Sequence, residues 1–71
     1  MRYAFTAVVV PEHGYIIGMA TEGTRGYTPV SNEGVFSSYD EATARAKKMN
    51  EQAGLSEKEA FDIVIRTMAK A

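Results

Sequence analysis

No cysteine occurs among the 71 residues, and histidine occurs once. Disulfides, thiolate nucleophiles and cysteine-bound zinc are therefore excluded. His13 stands in the stretch Pro11, Glu12, His13, Gly14, which reads as a turn, with no second histidine at ligand spacing, so no metal or other cofactor is expected. Tryptophan is absent and proline occurs only twice. The longest apolar run, residues 7–10, is too short for a signal core or a membrane span, and a cytoplasmic protein without a membrane partner is the default expectation. Charge of one sign is also scarce. Eight basic residues against nine acidic ones leave a formal charge of −1, which argues against a general grip on nucleic acid.

What remains is the composition of one small folded domain spanning 1–71. Hydrophobic residues make up 45% of the chain and charged ones 24%, close to a globular average and far from a disordered one. A chain of about 70 residues buries only around 60% of its unfolded surface, so stability is marginal and a homodimer is expected as support.

Residues 2–22 read as a hairpin. Tyr3 to Val10 is β-branched, aromatic or small, Pro11 to Gly14 interrupts it, and Tyr15 to Thr21 resumes it with Ile16, Ile17 and Met19. A four-residue loop would pair Val10 with Tyr15, Val8 with Ile17 and Thr6 with Met19. Both faces of that ribbon are apolar, whereas a sheet covered on one side only alternates apolar with polar. Residues 27–30 form a short edge strand at best, because Pro29 offers no ladder donor.

Two helices follow. Ser38 with Glu41 is a capping box opening a helix over 39–53, with Tyr39, Ala42, Ala46, Met49 and Ala53 as its apolar stripe and Gly54 as its stop. Ser56 with Glu59 opens a second over 57–69, stapled by Leu55 against Ala60. Its expected inner face is Ala60, Phe61, Val64, Ile65 and Met68, with Ile63 to one side. The fold class expected is α+β: a two- or three-stranded antiparallel sheet followed by two helices packed on one face.

No motif carries chemistry. Gly14, Gly18, Gly23 and Gly26 match neither phosphate-loop fingerprint, and turn and packing roles explain them. The helical acids lie in first turns or at ion-pair spacing, as in Glu41 with Arg45, and no pair of carboxylates sits against an apolar wall. An enzyme is not expected. Arg45, Lys47 and Lys48 cluster on the first helix and give an alternative, nucleic-acid-binding reading, although Glu41 and Glu51 flank them. The apolar excess of the hairpin points instead to a protein contact surface. Phe5, Tyr15, Ile17 and Tyr27 are its candidate anchors, with Arg25 as a polar contact beside them.

The run Phe36, Ser38, Tyr39, Glu41, Ala42, Ala46, Asn50, Gly54, Leu55, Ser56, Glu59, Ala60, Ile63, Val64 and Met68 resembles short uncharacterised proteins of bacteria, phages and plasmids. The resemblance implies an accessory protein of a mobile element that binds and inhibits or modulates a larger host protein or complex, as small inhibitors of bacterial defence systems do. The order of a first strand, Gly14 and Tyr15, the loop Gly23 to Gly26, and Glu41 with Ala42 is also similar to the N-terminal domain of HicB-type antitoxins, which bind a small RNase-like toxin. The chain departs from them in lacking the Pro-Gly before the third strand and a recognition helix after the last one. Both departures count against DNA binding and toxin neutralisation.

Overall fold

The structure, a computed structural model, describes residues 2–68, with Met68 described by its backbone alone. The inward role expected for the Met68 side chain, and residue 69 of the second helix, lie outside the described residues. Strands β1 (Tyr3–Val10), β2 (Gly14–Thr21) and β3 (Thr28–Pro29) form an antiparallel sheet in the order β1-β2-β3. A single 3-10 turn at Ser31–Glu33 leads to helix α1 (Tyr39–Gln52), and helix α2 (Glu57–Met68) closes the chain. This is the expected α+β order, with both helices packed on the sheet.

The hairpin register differs by one residue from the expected one. Val10 pairs with Gly14, so Val8 faces Ile16, Thr6 faces Gly18 and Phe5 faces Met19. The cause is the turn. The His13 N–H donates to the Val10 carbonyl at 3.0 Å, with Pro11 and Glu12 between them. Pro11 supplies the fixed φ wanted at the second turn position, and Glu12 takes a φ of 70° at the third, as a type II turn demands. Gly14 follows at φ 111°, and a β-carbon there would lie 2.5 Å from the Phe36 carbonyl oxygen. Three residues therefore close the hairpin where four were expected.

Strand alternation shows how the helices divide the sheet. Ile17, completely buried, joins Phe5, Ala7 and Tyr15 under Ala42, Ala46 and Met49 of α1. Ala4 and Ala20, a cross-strand pair of the other parity, pack with Leu55, Ala60 and Ile63. On that same side the Tyr27 ring lies over Gly18, where a β-carbon would come within 2.8 Å of it. Both apolar sides of the ribbon thus receive cover from within the chain, one mostly from α1 and the other from α2 and the Tyr27 loop, so the two helices do not share one face as expected.

Both helix starts are as expected. Ser38 Oγ accepts from the Glu41 N–H at 3.1 Å, and the Ser56–Glu59 box is reciprocal at 3.1 and 3.2 Å. Leu55 is buried beside Ala60. The faces are as expected only in part, with Ala42, Ala46, Met49, Ala60 and Val64 turned inward. The buried positions of α1 are Ala42, Ala46 and Asn50, while Tyr39 and Ala53 are exposed. In α2 the buried line is Ala60, Ile63 and Thr67; Phe61 and Ile65 face outward, Phe61 at 63% exposure. Two apolar stripes were available at helical spacing, and the helix buries the one whose small Ala60 lets Ile63 reach Ala4 and Ala20.

Truncation of the two stripes should separate them. Ile63→Ala removes a buried side chain and is expected to cost about 2–5 kcal/mol. Phe61→Ala on the outer stripe should stay within about 0.5 kcal/mol. Urea denaturation of the two variants measures both values, and equal losses would reverse the assignment of faces.

Candidate functional site

The site is built around the outer edge of β1. Along this strand Tyr3, Phe5, Ala7 and Val9 turn their peptide groups away from β2. The Phe5 groups bond elsewhere, and Tyr15, opposite Val9, spends its own N–H and C=O on Phe36 at 2.9 and 2.7 Å. At Phe5 the edge is closed by a side chain: the Phe5 N–H donates to Asn50 Oδ1 at 2.6 Å, and Asn50 Nδ2 donates to the Phe5 carbonyl at 3.0 Å. The Asn50 amide makes the two bonds that a residue of a neighbouring strand would make. Among the described residues, the outward peptide groups of Ala7 and Val9 have no such partner.

Beside this edge runs a groove of about 500 Å³ between the helices, with Phe5, Thr6 and Ala7 as its floor. Tyr39, Thr43 and Lys47 form the α1 wall; Lys58, Phe61 and Val64 form the α2 wall. Tyr39 is held in place by Tyr15, whose ring meets it edge-on at 5.7 Å. Lys47 bonds Glu57 at 3.0 Å across the helix corner and bounds the groove at that end. Val9 beyond the other end is exposed.

The expected anchors do not form one patch. Phe5 and Tyr15 are half-buried on the α1 side of the ribbon, and Phe5 also lines the groove. Ile17 is core, with no exposed surface, so it cannot serve as a contact. Tyr27 and Arg25 are exposed on the other side. Arg25 borders a second hollow of about 560 Å³ with Arg2, Arg66, Glu22, Glu59 and Asp62. The two signs balance there, and Arg2 is already held by Glu22 at 2.6 Å and Glu59 at 3.2 Å. Sequence reasoning missed Tyr39 and Phe61, which it had assigned to inward stripes, and gave Asn50 no role at all. A polar residue recurring in step with Ala42 and Ala46 was the available signal for Asn50.

The basic cluster is partly spent within the chain. Arg45 does not pair with Glu41, whose carboxylate accepts from the Ser37 and Ser38 hydroxyls. Instead Arg45 makes a forked pair with Glu33 at 2.6 and 3.2 Å. With Lys47 on Glu57, only Lys48 of the three cations has no ion-pair partner among the described residues. This counts against an electrostatic nucleic-acid surface. No group of three histidine or carboxylate residues among those described could hold a metal ion, and no described helix is long and apolar enough to cross a membrane. In comparisons with protein families, curated proteins and solved structures, the chain matches none.

The Arg45 hydrogen bond holds the Glu33 carboxyl below its ordinary value of 4.5, and Arg2 does the same to Glu22. A carboxyl whose pKa is lower folded than unfolded adds stability above the unfolded value and loses it as pH falls through the folded one. The thermal midpoint is therefore expected to fall on acidification below pH 4.5, and to fall less in Glu33→Gln, as a melting series between pH 7 and 3 would show. Replacing Asn50 acts on the edge itself. Asn50→Ala strands the Phe5 peptide groups and is expected to cost about 2–4 kcal/mol. Asn50→Asp puts an acceptor against the Phe5 carbonyl at neutral pH and should recover on acidification, when the protonated acid can donate. An Asn50→Ala variant as stable as the parent in urea would remove the amide from this role.

Proposed function

We propose that the protein is a non-enzymatic protein-binding module that acts by occupying a surface of a larger protein or complex. The observation that carries this reading is the groove: exposed Tyr39 and Phe61 face it from two helices, and an unfinished strand edge lies at its floor. Exposed aromatics beside a hydrogen-bonding edge are the ingredients of a contact surface, since aromatic rings add large area at low entropic cost. The form we favour is the accessory role that the sequence resemblance implies, a mobile-element protein that modulates a host protein. The basic helix supports the nucleic-acid alternative less well, because two of its cations are engaged by Glu33 and Glu57.

Phe61 is the test position, since it lies outside the core. Phe61→Asp is expected to keep the fold and to weaken binding of any stoichiometric host partner by at least about tenfold, the effect of losing a contact worth more than 1 kcal/mol. Lys48→Glu, at a cation that does not line the groove, should leave that binding in place. Titration of a captured partner with the three proteins reads the difference, and unchanged binding by Phe61→Asp would overturn the groove as the contact surface.

A further inference from the structure

We propose that the open edge of β1 pairs with β1 of a second copy of this chain, antiparallel, about a two-fold axis at Val8. The inference rests on the reading of the groove as a contact surface and names its first occupant. Three features of the edge lead to it.

The first is hydrogen-bond demand. Ala7 and Val9 each offer an outward N–H and C=O without a partner among the described residues. In an antiparallel pair, directly opposed residues alternate between exchanging two hydrogen bonds and exchanging none. Centred on Val8, Ala7 of one copy faces Val9 of the other, and Val9 faces Ala7. All four groups on each strand are then satisfied, and the pattern of donors and acceptors is complementary to itself. Centred on Ala7, Val9 would face Phe5, whose groups Asn50 already uses; centred on Val9, Ala7 would face Pro11, which has no N–H.

The second feature is where the edge stops. Asn50 blocks it at Phe5. In the Val8-centred register the residue facing Phe5 is Pro11 of the second copy, which has no N–H to donate and stands in the turn where that strand ends. The ladder ends where the obstacle begins. The helices crowd the edge near Phe5, Thr6 and Ala7 and leave Val9 exposed. Phe5 and Pro11 are six positions apart, about 20 Å along the chain. The two-fold axis therefore sets the crowded end of each copy beside the open end of the other.

The third is area. A specific dimer needs at least about 1,200 Å² of total buried surface, so about 600 Å² from each copy. That is about one-eighth of the 4775 Å² the chain exposes. Val9, Tyr39 and Phe61, all more than half exposed, border the edge and supply apolar surface to that total.

The absence of cysteine makes the register directly readable. Val8→Cys in the full chain should give a disulfide-linked dimer under mild oxidation, because the two positions face each other as a non-hydrogen-bonded pair about 4.5 Å apart at their α-carbons. Thr6→Cys should not. Its two copies would be offset by four residues, about 13 Å, beyond the reach of a disulfide. Sedimentation of the parent should show twice the 7.8 kDa monomer. Val9→Pro, which removes a donor with no partner inside the chain, should raise the dimer dissociation constant at least about tenfold. A monomeric parent, or equal cross-linking at Thr6→Cys and Val8→Cys, overturns the pairing. If the parent is monomeric and Phe61→Asp still loses its host partner, the pairing fails while the contact reading stands. If Phe61→Asp also retains its partner, both fail.

Discussion

Two hydrogen bonds between the Asn50 amide and the Phe5 peptide groups fix the rest of this architecture. They tie the last turn of α1 to the outer border of β1, where the chain must change direction. Asn50 also uses its own carbonyl to accept from Ala53 and Leu55, closing the helix in the same place. The corner that follows can then carry Leu55 round the border and deliver Ala60 and Ile63 to Ala4 and Ala20. Without that anchorage nothing would oblige the second helix to reach strand residues of the other parity. A ribbon with two apolar sides would keep one of them wet.

Much of this was legible in the residues. β-branched and aromatic runs marked both long strands, and Ser-x-x-Glu marked both helix starts, because these signals act through local backbone preference and local hydrogen bonds that a sequence displays directly. Register and facing were less legible for the opposite reason. The pairing of Val10 depended on whether Glu12 would accept a left-handed backbone, a choice made by the turn as a whole. The inward side of α2 depended on whether Ile63 or Phe61 met the sheet, and both lines have helical spacing. The partner of Arg45 came from a 3-10 turn twelve residues earlier rather than from its own helix. Such outcomes are tertiary, and single-sequence periodicity does not contain them.

The same division explains why the candidate contact residues changed. Apolarity alone singled out Ile17, which the fold consumes completely. Tyr39 and Phe61 were counted as consumed and are outside. In so small a domain the core needs few large side chains. Alanines fill much of it, and the bulky aromatics of the helices are left over for the surface. Charge tells a parallel story. The forked Glu33–Arg45 pair and the bridge from Lys47 to Glu57 satisfy cations internally, so the helix that looks most basic in the sequence has little positive field to offer a ligand.

The far border of the sheet is a different matter from the near one. Val30 and Thr28 turn toward β2, as the bond from the Val30 N–H to the Ile17 carbonyl shows, so the peptide nitrogen that looks away from the sheet is that of Pro29. It carries no hydrogen. Polymerisation into fibrils requires each molecule to accept a neighbour on both flanks, and here one flank is sterile. Any assembly that grows by adding backbone ladders must therefore terminate at once, which lets a chain this short keep an unfinished margin without the hazard of open-ended aggregation.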